Sequence, residues 1–189
     1  MLTERGWRLL VDRRWPGTRT ANVDMLLVGP GGVFVIDVKN WRSAPEVSDG
    51  RLRAGGEWRD AHAAKLLAVT KAAEGAVASL GMSPVAVQPL MVFAGQRVDT
   101  ALGRIRLLGE HEVGPALLSQ CRRLRTESVR AMADHLERVF PDYEGSAVTH
   151  QRRRSPTRCN RPCPTGCWTS KVCATRRWKR RCGPRSSGG

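Results

Sequence analysis

The sequence predicts an α/β domain in which helices flank a central mixed β-sheet. Apolar runs of strand length stand before and after a long Ala-rich segment of helical character, and two further segments with helical periodicity follow. Two of the apolar runs are separated only by Gly-Pro-Gly-Gly, which is typical of a tight turn. This order of elements favours a sheet covered by helices. A chain of 189 residues with 41% hydrophobic content is sufficient for one such domain.

The individual elements are assigned from periodicity, turn residues and helix caps. They are a strand over residues 7–15, a hairpin of strands over 22–28 and 33–38, a loop or short hairpin over 42–57 around Asp49-Gly50, a helix over 60–80, strands over 85–95 and 105–108, and helices over 112–124 and 126–140. Pro115 has to lie in the first turn of its helix, because a proline further inside removes a backbone hydrogen bond.

Both strands of the hairpin carry an acid. A turn centred between residues 30 and 31 places Leu26 opposite Val35 and Asp24 opposite Asp37, on one side of the sheet. Lys39 shares that side, since it follows Asp37 by two residues. Opposed carboxylates repel each other unless a cation or a proton lies between them, and oxygen ligands suit Mg²⁺ or Mn²⁺. The alternative is that the acids are solvated strand ends and Lys39 a surface charge.

These residues also carry a family resemblance. Residues 21–41, ANVDMLLVGPGGVFVIDVKNW, resemble the core signature of the nuclease-related domain (NERD) family within the PD-(D/E)xK nuclease superfamily. Residues 6–17 and 90–95 also fit that pattern, and the similarity covers roughly residues 1–125. The resemblance implies a restriction-endonuclease-like core and a Mg²⁺-dependent (or Mn²⁺-dependent) phosphodiesterase that acts on DNA.

The resemblance implies a role for each site residue. Asp24 and Asp37 would hold the metal, and the backbone carbonyl of Val38 would be a further ligand. Lys39 would orient the attacking water or stabilise the phosphate in the transition state. Metal-ion catalysis of this kind lowers the pKa of a bound water and neutralises charge on the phosphate oxygens.

The sequence departs from the family pattern at three places. Members usually begin with a helix that bears a Glu, whereas here that helix is largely missing and Glu4 is the one acid before Gly6. Met25 stands where a His is common, and we expect it to lie in the core on the side opposite Asp24. Lys65 is a candidate accessory residue on the helix after the motif, although a solvated lysine is the favoured interpretation.

Most of the excess positive charge lies near the end of the chain. The formal net charge is +15, and residues 145–189 contain 12 of the 32 Lys and Arg residues and no acid. Five of the six cysteines are also there: Cys159, Cys163, Cys167, Cys173 and Cys182. Without periodicity such a segment cannot form a core. We therefore predict a nuclease-related domain over 1–144 and a disordered basic tail over 145–189.

Three interpretations of this tail are open. It is a basic arm that contacts phosphates, a zinc-binding module, or the product of a shifted reading frame in a GC-rich gene. The cysteine spacings contain no C-x₂-C pair, which disfavours zinc. The frameshift is favoured over the basic arm, and it would make the net charge uninformative about function.

Three functions compete for the domain. The first is a metal-dependent DNA nuclease, the second a non-catalytic nucleic-acid-binding domain inactivated by truncation, and the third a structural or interaction module. No apolar run has the length of a membrane span, and no apolar core of a signal peptide is seen, so we expect a cytoplasmic protein. Trp41 and Trp58 could stack on bases, but we expect them to pack against the sheet.

Overall fold

A computed structural model describes residues 5–81 and 85–143. Within those residues the strands are β1 (Arg8–Arg14), β2 (Asn22–Gly29), β3 (Gly32–Lys39), β4 (Pro45–Ser48), β5 (Arg51–Ala54), β6 (Glu57–Trp58), β7 (Val87–Phe93), β8 (Asp99–Leu102) and β9 (Ile105–Gly109). The helices are α1 (Asp60–Ala78), α2 (Glu110–Leu118) and α3 (Thr126–Val139). The predicted α/β class is confirmed. Glu4 and the predicted tail from residue 145 onward lie outside the described residues.

The main sheet is mixed, as predicted. Its six strands lie in the order β1-β2-β3-β7-β9-β8. The pairs β3–β7 and β7–β9 are parallel, while β1–β2, β2–β3 and β8–β9 are antiparallel. Because parallel neighbours need a crossover connection, α1 joins β3 to β7. Strands β4, β5 and β6 form a separate small antiparallel sheet between β3 and α1.

The helices cover both faces of the main sheet. Val33 and Val35 of β3 pack in a cluster with residues of α1 and α3. Phe34 and Ile36 pack on the other face, in a cluster that includes Leu117 of α2. Because both faces of β3 are buried, polar residues do not alternate with apolar ones along this strand. This explains why its sequence is an almost continuous apolar run. Within the described residues, no helix combines the length and the apolar character needed to cross a membrane.

The hairpin of β2 and β3 has the predicted register. Val28 pairs with Val33 and Leu26 with Val35. Its turn is held from outside, since the backbone N–H groups of Arg123 and Leu124 donate to the Pro30 carbonyl at 2.7 and 3.0 Å. The chain after α2 therefore closes the turn end of the hairpin and leaves the opposite end free.

The same contacts explain why the predicted helix over 112–124 was wrong in its bounds. Helix α2 begins at Glu110 and ends at Leu118 because the following residues turn toward Pro30. The expectation that Pro115 lies in the first turn was also wrong, because it lies further inside this helix, where its carbonyl accepts a 3.0 Å hydrogen bond from the Ser119 N–H. Strand β8 was also missed. The short hairpin around Asp49-Gly50 is confirmed, and both of these residues have positive φ.

A buried arginine ties the end of α3 to the first strand. Arg13 is 8% exposed, and its guanidinium pairs with Glu137 at 3.2 Å and with Asp142 at 2.6 Å. The N–H of Arg14 also donates to the Pro141 carbonyl at 2.8 Å. The edge of the sheet at β1 is thereby joined to the end of the described chain.

Gly29 ends β2 beneath an aromatic ring. Trp7 is buried and packs against Phe34, with ring centroids 5.8 Å apart. A Cβ atom at Gly29 would overlap the six-membered ring of Trp7. Because the indole is buried and is not the end of a flexible side chain, it has little room to move.

We expect Gly29→Ala to lower the free energy of unfolding by about 1–3 kcal/mol through this overlap. Gly75→Ala is the matched control, since Gly75 is an exposed residue of α1 whose added Cβ would meet nothing within 4 Å. It should raise stability by roughly 0.5–1 kcal/mol through helix propensity. Urea unfolding of the full chain measures both variants. Equal effects at the two glycines would contradict the packing at Trp7.

Candidate metal centre

The site begins where the pairing of the hairpin strands stops. The last backbone pair between β2 and β3 is Met25 with Ile36. One residue further along, a side chain joins the two strands in place of backbone pairing. Oδ2 of Asp24 accepts a hydrogen bond from the backbone N–H of Val38 at 2.8 Å. A hydrogen bond from a backbone amide to a carboxylate is among the stronger ones in proteins. Asp24 is therefore fixed against the segment that carries Asp37.

Asp37 and Lys39 form a largely buried ion pair. Lys39 Nζ lies 2.6 Å from Asp37 Oδ2, and the side chains are 15% and 14% exposed, respectively. The pair is close but not aligned as a hydrogen bond, so Oδ2 has no directed donor among the described residues. Burial raises the pKa of the Asp37 carboxyl above its ordinary value of 3.8; Lys39 opposes this shift, Asp24 adds to it and Lys65 opposes it.

A narrow cleft brings the acids together with helix α1. Its volume is about 10 Å³, and it is lined by Asn22, Val23, Asp24, Val35, Ile36, Asp37, Lys65, Leu66 and Val69. Lys65 is exposed although it lines this cleft. Lys65 thus reaches solvent and shares the cleft with Asp24 and Asp37. Met25 packs on the opposite face of the sheet, as expected.

His62 was missed by the sequence analysis. Its ring lies 5.4 Å from that of Trp41, with the two rings edge to face, and Trp41 in turn packs on Phe93 at 5.3 Å. Burial lowers the pKa of the His62 imidazole. The positive charges of Lys39, Arg59 and Lys65 lower it further, whereas the negative charge of Asp37 opposes the shift. The shift favours the neutral form of the imidazole. Its position three residues before Lys65 on α1 was the available signal, because residues three apart share a helix face.

The residues present fit a divalent cation that keeps much of its water. Two carboxylates line one cleft, one of their oxygens is buried without a directed donor, and the Val38 backbone is fixed between them. Mg²⁺ is usually bound by one or two carboxylates and retains several waters. No group of three His, Cys, Asp or Glu side chains is placed to hold a metal within residues 5–81 and 85–143. A cation here would thus depend on water and backbone oxygens for its other ligands.

A known protein family matches part of the chain. The family model described as "Nuclease-related domain" matches residues 1–94. This part of the chain belongs to the nuclease-related domain family. The matched segment runs from the start of the chain through β7 and includes the hairpin, the small sheet and α1. No curated protein and no solved structure matched the chain.

The raised pKa of Asp37 in this nuclease-related domain predicts a dependence of stability on pH. Folding disfavours the ionised form of Asp37. The contribution of Asp37 to the stability of the folded protein is therefore fully present below pH 3.8, where the carboxyl is protonated, and is lost as pH rises through the folded-state pKa. Asn at this position stays neutral at every pH. In EDTA, we therefore expect the stability of Asp37→Asn relative to wild type to increase over that interval.

Urea unfolding at several pH values between about 3 and 7 measures the difference between the two proteins. Glu110→Gln, on the exposed start of α2, is the control for an acid-to-amide change outside the site. A stability difference for Asp37→Asn that does not vary with pH would contradict the cost of burying this carboxylate.

Proposed function

We propose that this nuclease-related domain hydrolyses phosphodiester bonds in DNA with the help of Mg²⁺ or Mn²⁺. The observation that carries the proposal is the convergence of Asp24, Asp37 and Lys39 at the end of β3, on the side of the sheet that faces α1. Two carboxylates in one cleft, with an ammonium beside one of them, suit metal-assisted hydrolysis of a phosphodiester. The family match supports the nuclease-related class.

Each residue has a distinct task in this proposal. A bound cation supplies a water of lowered pKa and neutralises charge on the phosphate. Asp24 and Asp37 would hold the cation together with the Val38 carbonyl. Lys39 would orient the attacking water or donate to a phosphate oxygen. In the hydrolysis the water oxygen forms a bond to phosphorus, one P–O ester bond breaks, and the leaving oxygen takes up a proton.

The ion pair between Lys39 and Asp37 bears on the role of Lys39 in this proposal. The Lys39 ammonium lies 2.6 Å from Oδ2 of Asp37. Lys39 and a divalent cation would compete for this oxygen. A phosphate oxygen of the substrate would then offer the ammonium a second anion, to which Lys39 would donate.

A non-catalytic nucleic-acid-binding domain is the second candidate. It is favoured by the lack of a third acidic ligand among residues 5–81 and 85–143. Binding and cleavage separate the two candidates, because a binding domain would retain DNA without cutting it.

We expect the purified full-length chain to nick supercoiled plasmid DNA in Mg²⁺ or Mn²⁺ and not in EDTA. Asp37→Asn removes a negative ligand and should abolish nicking, whereas Lys39→Ala should reduce its rate about 10²–10³-fold through loss of an electrostatic donor. Glu110→Gln should nick as wild type does. A folded wild-type protein that never nicks, or an Asp37→Asn variant that nicks normally, would overturn the nuclease proposal.

Calorimetric titration with Mn²⁺ gives a second readout that is independent of cleavage. Lys39→Ala should bind Mn²⁺ at least as tightly as wild type, because the competing ammonium is gone. Asp37→Asn should bind it far more weakly. Weaker binding in Lys39→Ala would contradict the proposed competition for Asp37.

The two substitutions of Asp24 should have different effects. Asn keeps an oxygen that can accept from the Val38 N–H but loses the charge, whereas Ala loses both. We expect both variants to lose nicking, and we expect Asp24→Ala to lose roughly 1–3 kcal/mol more of the free energy of unfolding than Asp24→Asn. Thermal or urea unfolding compares the two. Equal stability would show that the bond to Val38 contributes little.

A further inference from the structure

The small sheet presents two arginines and a tryptophan on one exposed face. Along β5, Arg51 and Arg53 are exposed, while Leu52 and Ala54 between and after them are buried. Arg53 pairs with Trp58 of β6, so the two side chains lie on the same face. We call Arg51, Arg53 and Trp58 the β5–β6 face.

Trp58 is held by arginines and not by apolar packing. The expectation that Trp41 and Trp58 pack against the sheet is right for Trp41, which is partly buried against the core, and wrong for Trp58, which is 47% exposed. The guanidinium of Arg51 lies 3.9 Å from the centroid of the Trp58 ring, and that of Arg53 lies 5.7 Å away. Arg51 therefore covers one face of the indole, and the exposed remainder of the ring is the surface left for stacking.

The two arginines differ in their freedom to bind an anion. Arg51 is paired with Asp60, whose Oδ2 lies 2.7 Å from its Nη2. Arg53 forms no ion pair within the described part of the chain, although Glu46 lies opposite it on β4. Its guanidinium is therefore available to a phosphate.

A cleft lies on the other side of the edge strand β6, beside the chain segment that follows Lys39. Its volume is about 330 Å³, and its lining residues are Asn40, Trp41, Arg42, Ser43, Ala54, Gly55, Glu57 and Arg59. One wall begins at Asn40, directly after Lys39, and the other includes both chain neighbours of Trp58. Arg42 is an exposed residue of this cleft, and Arg59 lies over the Trp41 ring at 5.6 Å.

We infer that the β5–β6 face and this cleft bind an unpaired DNA strand. One base stacks on Trp58, Arg53 contacts a phosphate on the same face of the small sheet, and Arg42 contacts a phosphate further along the strand, in the cleft. Stacking on an aromatic side chain needs a base with a free face, which a single strand offers and the interior of a duplex does not. The inference deepens the proposed nuclease function, because the strand then continues past Asn40 to Lys39. It names single-stranded DNA, or the unpaired part of a branched DNA, as the substrate class.

The test measures binding by the full-length chain in EDTA, where no cleavage occurs. The probes are a fluorescein-labelled oligo(dT) of twenty nucleotides and a labelled hairpin duplex with the same number of phosphates. We expect Trp58→Ala to weaken oligo(dT) binding about 5- to 150-fold and to leave duplex binding unchanged, since the loss is that of one stacked base. Trp58→Phe keeps an aromatic face and should retain most of the affinity.

Leu118→Ala is the matched control, because Leu118 on α2 is 46% exposed and belongs to neither face nor cleft. It should leave both affinities unchanged. Arg53→Ala should reduce the slope of log affinity against log salt by about 0.7, the value for one phosphate of a single strand. Arg130→Ala, an exposed arginine of α3, should not change the slope.

Three results would overturn the inference. They are equal affinities of Trp58→Ala and wild type for oligo(dT), an equal loss for duplex and single strand, and a loss in Leu118→Ala as large as that in Trp58→Ala. Equal affinities of Trp58→Ala and wild type for oligo(dT) would result if the basic residues beyond position 145 carried the binding. If the nuclease proposal alone were wrong, plasmid nicking would be absent, but Trp58→Ala would still weaken the binding of oligo(dT). If Asp37-dependent nicking is present and Trp58→Ala binds normally, the binding surface alone is refuted.

Discussion

The hydrogen bond between Asp24 and Val38 is the contact on which the arrangement of the site depends. Up to Met25 and Ile36 the two hairpin strands are joined by backbone pairing, and beyond them a carboxylate holds the strands at 2.8 Å. A side-chain hydrogen bond in place of a backbone pair leaves room between β2 and β3 and still keeps the two strands together. β3 meanwhile continues in parallel pairing with β7 through Lys39. The acids are therefore held on a rigid sheet, which suits a site that has to keep a precise geometry.

The charge balance of the site explains why a cation is its natural complement. Asp37 is buried, carries a raised pKa and has Asp24 as a neighbouring acid, while Lys39 compensates only one of the two charges directly. Lys65 is exposed and adds a screened contribution at the mouth of the cleft. A divalent cation would relieve both the burial of Asp37 and the repulsion between the acids. The burial of Asp37 and its proximity to Asp24 would thus favour cation binding.

The insertion between β3 and α1 gives the domain a second surface close to the first. Strands β4 to β6 lie directly after Lys39 in the chain, and α1 begins at Asp60 where β6 ends. Asp60 joins the two parts, because its carboxylate accepts from the Leu52 N–H at 2.8 Å and pairs with Arg51. The backbone bond to Leu52 lowers the pKa of Asp60, and Arg51 adds to this effect. The arginine and tryptophan face is thereby fixed relative to helix α1, which also carries His62 and Lys65.

The sequence by itself determined the hairpin, its register, the side of the sheet on which Asp24, Asp37 and Lys39 lie, and the long helix after them. These features are local: turn residues, the two-residue period of strands and the 3.6-residue period of helices are all contained in a short stretch of chain. Only the tertiary structure decided that α2 stops at Leu118, that Trp58 is exposed, and that His62 and Lys65 approach the acids. It also decided the burial of Asp37 and the bond from Val38 to Asp24. These depend on contacts between residues distant in the chain, such as Arg123 with Pro30 and α1 with β3, and no local period encodes such contacts.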